Sequence, residues 1–509
     1  MSGLRVVDTP LTGGALTQAA LNRRVPPAWY APAPATREDW VERCAQTRRR
    51  DSRWFRDIAP ALGSGASLVE RAAADGVVVT TGQQPGLFGG PLYTWFKALS
   101  ALELAAAIER ETGVAAAAVF WAATDDADFI EAATTAVPTA DEPKWLTLAA
   151  PAHDGVPLSA TVIGAEIRAL YDQLHAASGS AADPRALRAA RHFSAGATVG
   201  AAYVAMLREL LEPLGVAVLD ASHAAVLGCA RPLLESALAR AGSIDVALTA
   251  REREIEQAGF DAQVGVDRAL SLVFEWTHGP DGLPRKRRIP VEAAAAAPDS
   301  MLSANVLLRP VVERALLPTV AYLAGPAEIA YFAQVSAVAR TLDVPAPLVL
   351  PRWSGVLMPD QTTAALAELG LEVDDLRADH IAERRLAAAR TNADADAAIS
   401  ALRASIIREL GRLGDALSAT ALDGAREQFE RRVVRLERRV LAATKRREAG
   451  AMRAIAAARG VLLPFGKAQE RVLNVVPLWS RFGDALVDGV RARCRAHASR
   501  MVAGTPVLA

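Results

Sequence analysis

At 509 residues the chain is too long for one compact core, and length alone points to about three domains. Lysine plus arginine equals aspartate plus glutamate at 57 each, a zero balance that removes the electrostatic reason to expect nucleic acid or an anionic membrane as the main partner. No stretch reaches the roughly 20 apolar residues of a membrane helix, and three scattered cysteines, Cys44, Cys229 and Cys494, form neither a disulfide framework nor a metal spacing, so a reducing cytoplasm fits best.

The first 75 residues read as an extended entry followed by helical pieces that pack as scaffold. The opening MSGLRVVDTPLTGG has no apolar core of the length a signal peptide needs. The chain is organised around the stretch that follows, VVVTTGQQPGLFGGPLYTWFK from Val77 to Lys97. Val77-Val78-Val79 predicts a buried strand, Thr80 to Gly86 a polar glycine-rich loop, and Leu92 to about Glu111 a helix with Pro91 at its start. That geometry aims free backbone N–H groups and the positive end of a helix dipole at one spot, which suits a phosphate or a carboxylate. The spacing is that of neither a P-loop nor a dinucleotide fold. Gln83 and Gln84 add amides that both donate and accept, suited to an oxygen-rich small molecule; a tight turn whose glutamines cap local backbone is the plainer alternative.

Val114 to Trp121 predicts a second strand, so strand, helix and strand make a parallel βαβ unit. Ligands of open parallel sheets sit beyond the carboxyl ends of the strands, where both polar loops fall. The second loop carries Asp125, Asp126 and Asp128, which could bind a metal ion, hold an ammonium group, take a proton from an attacking amine, or cap a helix. From Pro138 to about Ala190 the pattern weakens into an insertion. Val199 to Leu214 reads as a helix and Val216 to Leu219 as a third strand, followed by His223, a cap or an acid–base group. Residues 262–290 alternate around Asp281-Gly282 as a hairpin, with Arg285-Lys286-Arg287-Arg288 as its solvated edge or, less simply, an anion site.

Thr319 to Leu323 predicts another strand, and Gly325-Pro326 with Glu328 opens the next helix, repeating the organising stretch. Pro345 to Met358 adds a final strand and Arg352. From about Asp360 to Ala458 apolar residues recur at three- and four-residue steps, from Ile399 to Leu417 and from Phe429 to Ala443, with Leu422-Asp423-Gly424 as the turn between. This predicts an antiparallel coiled-coil arm, with arginines 431, 432, 435, 438 and 439 on its wet face and a homodimer as a fair expectation.

Thr80 to Phe88 with Gly90-Pro91-Leu92-Tyr93-Thr94, Asn305 to Pro310, Gly325 to Tyr331, Pro351-Arg352 and Gln469-Glu470-Arg471 together resemble the bacillithiol biosynthesis cysteine-adding enzymes, in order along nearly the whole chain. The resemblance implies a Rossmann-like core with connecting insertions, a coiled-coil arm supporting a dimer, and a ligase that adds cysteine to glucosaminyl-malate in the last step to bacillithiol. ATP is the implied source of activation, with Mg2+ its possible companion. Where that family usually shows a histidine within the acidic run, this chain has Ala127, with His223 as a conceivable substitute.

The expected fold class is α/β, a Rossmann-like parallel sheet with insertions and a C-terminal antiparallel coiled coil. The expected segments are an entry over 1–75, a core over 76–358 with insertions at about 138–195 and 230–300, the arm over 359–458, and a return to the core over 459–509. Asp125, Asp126 and Asp128 are the expected catalytic acids, holding the amine or receiving its proton. Gly82, Gln83, Gln84, Tyr93, Asn305, Arg309, Glu328 and Tyr331 are the expected substrate-binding residues, with no dedicated metal ligands. Nucleotidyl transfer on the same fold, with the acids on magnesium, and a dimeric scaffold with a decayed site are the rival readings.

Overall fold

The structure is a computed structural model and describes residues 3–139, 142–150, 154–179, 183–294, 297–378, 380–390, 393–414 and 416–504; parts of both expected insertions, 140–141, 151–153, 180–182 and 295–296, lie outside them. The chain divides into two compact units, one of Leu4–Val137, Lys144–Leu357 and Glu470–Ala509, the other of Met1–Gly3, Pro138–Pro143 and Met358–Gln469.

The larger unit is built on five parallel strands. In chain order they are β1 (Val77–Gln83), β2 (Ala116–Ala122), β3 (Val216–Asp220), β7 (Thr319–Ala324) and β8 (Val349–Pro351), arranged β8-β7-β1-β2-β3. Alternation along each strand divides the side chains between two cores. Val77, Val79, Phe120, Val216 and Val218 enter one; Val78, Val119, Trp121, Ala217 and Leu219 enter the other. Helix α1 (Leu92–Thr112), between β1 and β2, packs into the first core through Trp95, Phe96 and Leu104. Helix α3 (Pro326–Thr341), after β7, packs into the second through Ile329, Phe332 and Val335. A parallel sheet covered on both faces explains why its strands read as unbroken apolar runs. This is the Rossmann-like α/β fold that the sequence predicts.

Inserted between β3 and β7 is a three-stranded antiparallel sheet of β4 (Leu270–His278), β5 (Pro284–Pro290) and β6 (Leu302–Ala304), in the order β5-β4-β6. Helix α2 (Arg309–Leu316) then leads into β7.

Three local expectations need correction. The strand that was to end at Val79 runs on to Gln83, because its pairing with β2 continues through Gly82↔Trp121 and Gln83↔Ala122. The last strand is two short ones, β8 and Gly355–Pro359, with Arg352-Trp353-Ser354 between them. In the smaller unit the arm is the helical pair α4 (Ala393–Arg412) and α5 (Ala419–Arg447), so Leu422-Asp423-Gly424 lies inside a helix. The turn comes earlier, where Gly411 and Gly414 weaken the end of α4 and the Ser418 hydroxyl caps α5 by accepting from the Ala421 N–H. Arginines 431, 432, 435, 438 and 439 on α5 are exposed as expected.

Candidate functional site

The carboxyl ends of β1, β2 and β7 open into one cavity of about 750 Å3, which lies within the larger unit. Gly82, Gln83, Gln84, Tyr93, Asp125, Asp126, Asn305, Arg309, Glu328 and Tyr331 all line it. Gln84, Asp126 and Tyr331 come from three distant segments, the last of them α3, and meet at this one hollow.

The glycine loop is shaped by steric need. A Cβ on Gly82 would stand 2.8 Å from the Trp121 carbonyl oxygen of the paired strand. Phe88, Gly89 and Gly90 all take positive φ, at 51°, 85° and 73°, so the loop coils tightly before α1. Asn474, from the C-terminal return, holds this coil: its fully buried Nδ2 donates to the carbonyls of Leu87, Phe88 and Gly90 at 3.0 to 3.3 Å.

Beneath the loop lies a buried charge network. Lys97, 2% exposed, donates from Nζ to the Gly82 carbonyl at 2.6 Å and to Gln83 Oε1 at 3.1 Å, and pairs with Glu328 at 2.5 Å. Glu328 also accepts from the Tyr322 hydroxyl at 2.6 Å and from the Gly325 N–H at 2.7 Å. Burial alone would raise the Glu328 carboxyl, but Lys97, Tyr322 and the Gly325 N–H outweigh it and hold it below its ordinary range. Arg309 donates to Tyr322 Oη at 3.1 Å and to Glu313 at 3.0 Å, and Thr80 donates to the other Glu313 oxygen. Burial pushes Glu313 up to about 7 against the pull of Arg309. Burial also raises the Tyr93 and Tyr331 hydroxyls, so both stay protonated donors.

The loop after β2 brings acids to the cavity. Asp126 accepts from the Asp128 N–H at 3.0 Å, and burial, then its neighbour Asp125, raise its carboxyl while Lys286 opposes them. Glu131 is also raised, first by burial and then by Asp128, and accepts from Gln84 Nε2 at 2.5 Å. Asp128 stands apart: it does not line the cavity, and its carboxylate accepts from the Glu131 N–H as the cap of the short helix Phe129–Ala132. Ala127 lines the cavity, and no histidine does among the described residues. His223 is a helix cap whose Nδ1 accepts from the Ala225 N–H, away from the cavity.

Sequence reasoning missed several lining residues. Lys97 looked like an ordinary helix lysine, yet its place one turn into α1 behind a glycine loop aims it at that loop. The basic hairpin is the clearest correction. Arg285 and Arg287 pair within it, with Asp281 and Glu275, but Lys286 and Arg288 line the cavity. Alternation along β5 separates the two pairs. Arg471 also lines the cavity, exposed and with no hydrogen bond or ion pair among the described residues. No group of three or more His, Cys, Asp and Glu among the described residues is placed to hold a metal ion.

A Rossmann-like sheet with a polar cavity at its carboxyl edge, and a helical arm in the same chain, define the class as a Rossmann-like α/β protein with a coiled-coil region. The particular family follows from direct comparison. Residues 64–280 and 286–353 match the bacillithiol biosynthesis BshC N-terminal Rossmann-like domain, and 355–501 match the BshC C-terminal coiled-coil domain. The chain belongs to the bacillithiol biosynthesis BshC family. It is 31% identical over 453 residues to a protein of Solibacter usitatus named "Putative cysteine ligase BshC", covering 84% of this chain and 85% of that one. Proteins of the same name from Koribacter versatilis and Geobacillus kaustophilus are 31% and 26% identical, over 82% and 86% of this chain and the same shares of theirs. No helix among the described residues is long and apolar enough to cross a membrane.

Proposed function

We propose that this chain is a carbon–nitrogen ligase that joins the carboxyl group of cysteine to the amine of glucosaminyl-malate, the last step of bacillithiol biosynthesis, with ATP as the source of activation. One observation carries the reading: a single cavity is lined by carboxylates, by cations and by the glycine loop and the start of α3. Amide formation needs an ammonium group held and deprotonated, and a carboxylate held while it loses an oxygen. Asp125 and Asp126 suit the first task, and burial raises the Asp126 carboxyl, which makes it a stronger base than an ordinary aspartate. Arg309, Tyr331 and the α3 N-terminus suit the second.

The cavity residues fit an anionic nucleotide. Arg471, with no ion-pair partner among the described residues, and the first turn of α3 would hold its phosphates. When bound, ATP supplies the leaving group that a free carboxylate lacks. A magnesium ion would arrive on those phosphates.

The arm supports a homodimer. Leu402, Ile407, Leu413 and Phe429 are each at least 40% exposed on α4, its turn and α5, apolar surface that a second coiled coil would cover. Light scattering should give twice the 53.7 kDa chain mass, and Leu402→Glu with Ile407→Glu should return the monomer.

The function is tested by incubating purified protein with cysteine, glucosaminyl-malate and ATP. The expected result is a new thiol-bearing amide by mass spectrometry, formed in step with ATP consumption, and rescue of bacillithiol in a strain lacking its own enzyme. Absence of both with folded protein would overturn the assignment.

A further inference from the structure

The basic run on the inserted hairpin holds one lysine that does not behave as a surface charge. Lys286 is 6% exposed, whereas its neighbour Arg287 is 73% exposed. Its Nζ lies 4.6 Å from the centre of the Phe274 ring and 5.9 Å from that of Trp276, both on the adjacent strand β4. The Trp276 indole is itself fixed by donating to Ser303 Oγ at 2.9 Å on β6. From this aromatic cage the ammonium donates to the Asp125 carbonyl at 2.6 Å and stands 3.3 Å from Asp125 Oδ2. The Lys286 backbone N–H donates to the Gly155 carbonyl at 3.1 Å. Arg285 and Arg287 stay within the hairpin, on Asp281 and Glu275, and Arg288 spends its donors on the carbonyls of Leu270 and Ser271. Lys286 alone of the four reaches the acidic loop.

We propose that Lys286 is a positioning residue for the ligase reaction: it ties the inserted sheet to Asp125 and so fixes Asp126 on the cavity wall. The inference rests on the reading of Asp126 as the acceptor of the amine's proton. A desolvated ammonium caged by two rings and given one carboxylate partner is a rigid, directional tie. The loop is also held by backbone bonds, from Leu158 N–H to the Asp126 carbonyl and from Ser159 N–H to that of Thr124, and at its two ends by side chains, the Thr124 hydroxyl donating to Asp220 and Gln84 to Glu131. The charges that act on Asp126 are Asp125 beside it and Lys286 from the hairpin, with the N–H groups of Ala127 and Asp128 donating to it; Glu131 stands across the same wall. Removing the ammonium leaves Asp125 to act on Asp126 unopposed.

Two readouts on Lys286→Met, Lys286→Arg, Asp125→Asn and the control Arg287→Met test this. The first is amide hydrogen exchange of the unliganded protein, which does not depend on the reaction. Lys286→Met should speed exchange over 124–131 and at Leu158 and Ser159 by about tenfold, and Arg287→Met should leave it unchanged. The second is the pH dependence of amide formation. Lys286→Met should move the acid limb up by about one pH unit, Asp125→Asn should move it down, and Lys286→Arg should return it towards wild type. A purely structural lysine would not produce opposite shifts in the two variants. Wild-type exchange in Lys286→Met, or an unmoved acid limb with intact folding, would overturn the proposal. If Lys286→Met does not fold, the same two readouts on Lys286→Gln decide. If even the wild type forms no amide, the ligase reading falls and exchange alone decides whether Lys286 holds the loop.

Discussion

The two units of this chain use the same ionic side chains in opposite circumstances. Under the glycine loop, Lys97 and Glu328 pair at 2.5 Å with 2% and 15% of their side chains exposed, and Arg352 meets Glu470 through two bonds at 2.9 and 2.6 Å, 2% and 7% exposed. On the arm, Arg403 meets Glu430 and Glu437 at 2.9 and 3.0 Å, with 35 to 51% exposed. The distances match, so geometry does not distinguish them; desolvation does. A buried pair that loses one member leaves an uncompensated charge, and an exposed pair leaves a solvated one. The core charges therefore fix the shape of a site, whereas the arm charges keep a helical surface wet.

That contrast can be broken by substitution. The largest effect should come from Glu470→Ala, which strands the Arg352 guanidinium and should destabilise the larger unit by about 3–5 kcal/mol in denaturant unfolding. Asn474→Ala should come next, at about 1–3 kcal/mol, because three carbonyls of the left-handed coil lose their donor. Smallest should be Arg403→Ala on the arm, within about 1 kcal/mol and shrinking further in salt. An arm effect as large as that of Glu470→Ala would erase the distinction.

pH sharpens the same comparison. The Glu328 carboxyl is held below its ordinary range, so its contribution to stability is present above the unfolded value and is lost as pH falls through the folded one. Glu313 has the opposite sign. Its folded value of about 7 lies above the ordinary 4.5, so the native state binds a proton more readily, and stability falls as pH rises from about 4.5 to about 7. Glu313→Gln should flatten that upper window and Glu328→Gln the lower one, read from unfolding midpoints across pH.

The fold was legible because its signals are local. Apolar runs marked β1, β2, β3 and β7, and glycine-proline pairs marked the starts of α1 and α3. The cavity's first layer was legible for the same reason, since loops at the carboxyl ends of parallel strands converge. The second layer was not. Lys97, Lys286 and Asn474 reach their partners through tertiary packing, over separations of up to 387 residues, and a lysine in a basic run looks the same whether it enters an aromatic cage or faces water. Alternation on β5 was the one available signal, since Lys286 and Arg288 share a face. The arm turn was misplaced because Gly424 resembles a turn residue, whereas the Ser418 cap carries the stronger information.

The most direct test is a crystal structure soaked with glucosaminyl-malate, and in parallel with cysteine. The account predicts the sugar amine against Asp125 and Asp126, and the cysteine carboxylate against Arg309 and the first turn of α3. Both ligands bound elsewhere, with the cavity between Gln84, Asp126 and Tyr331 holding only solvent, would contradict it.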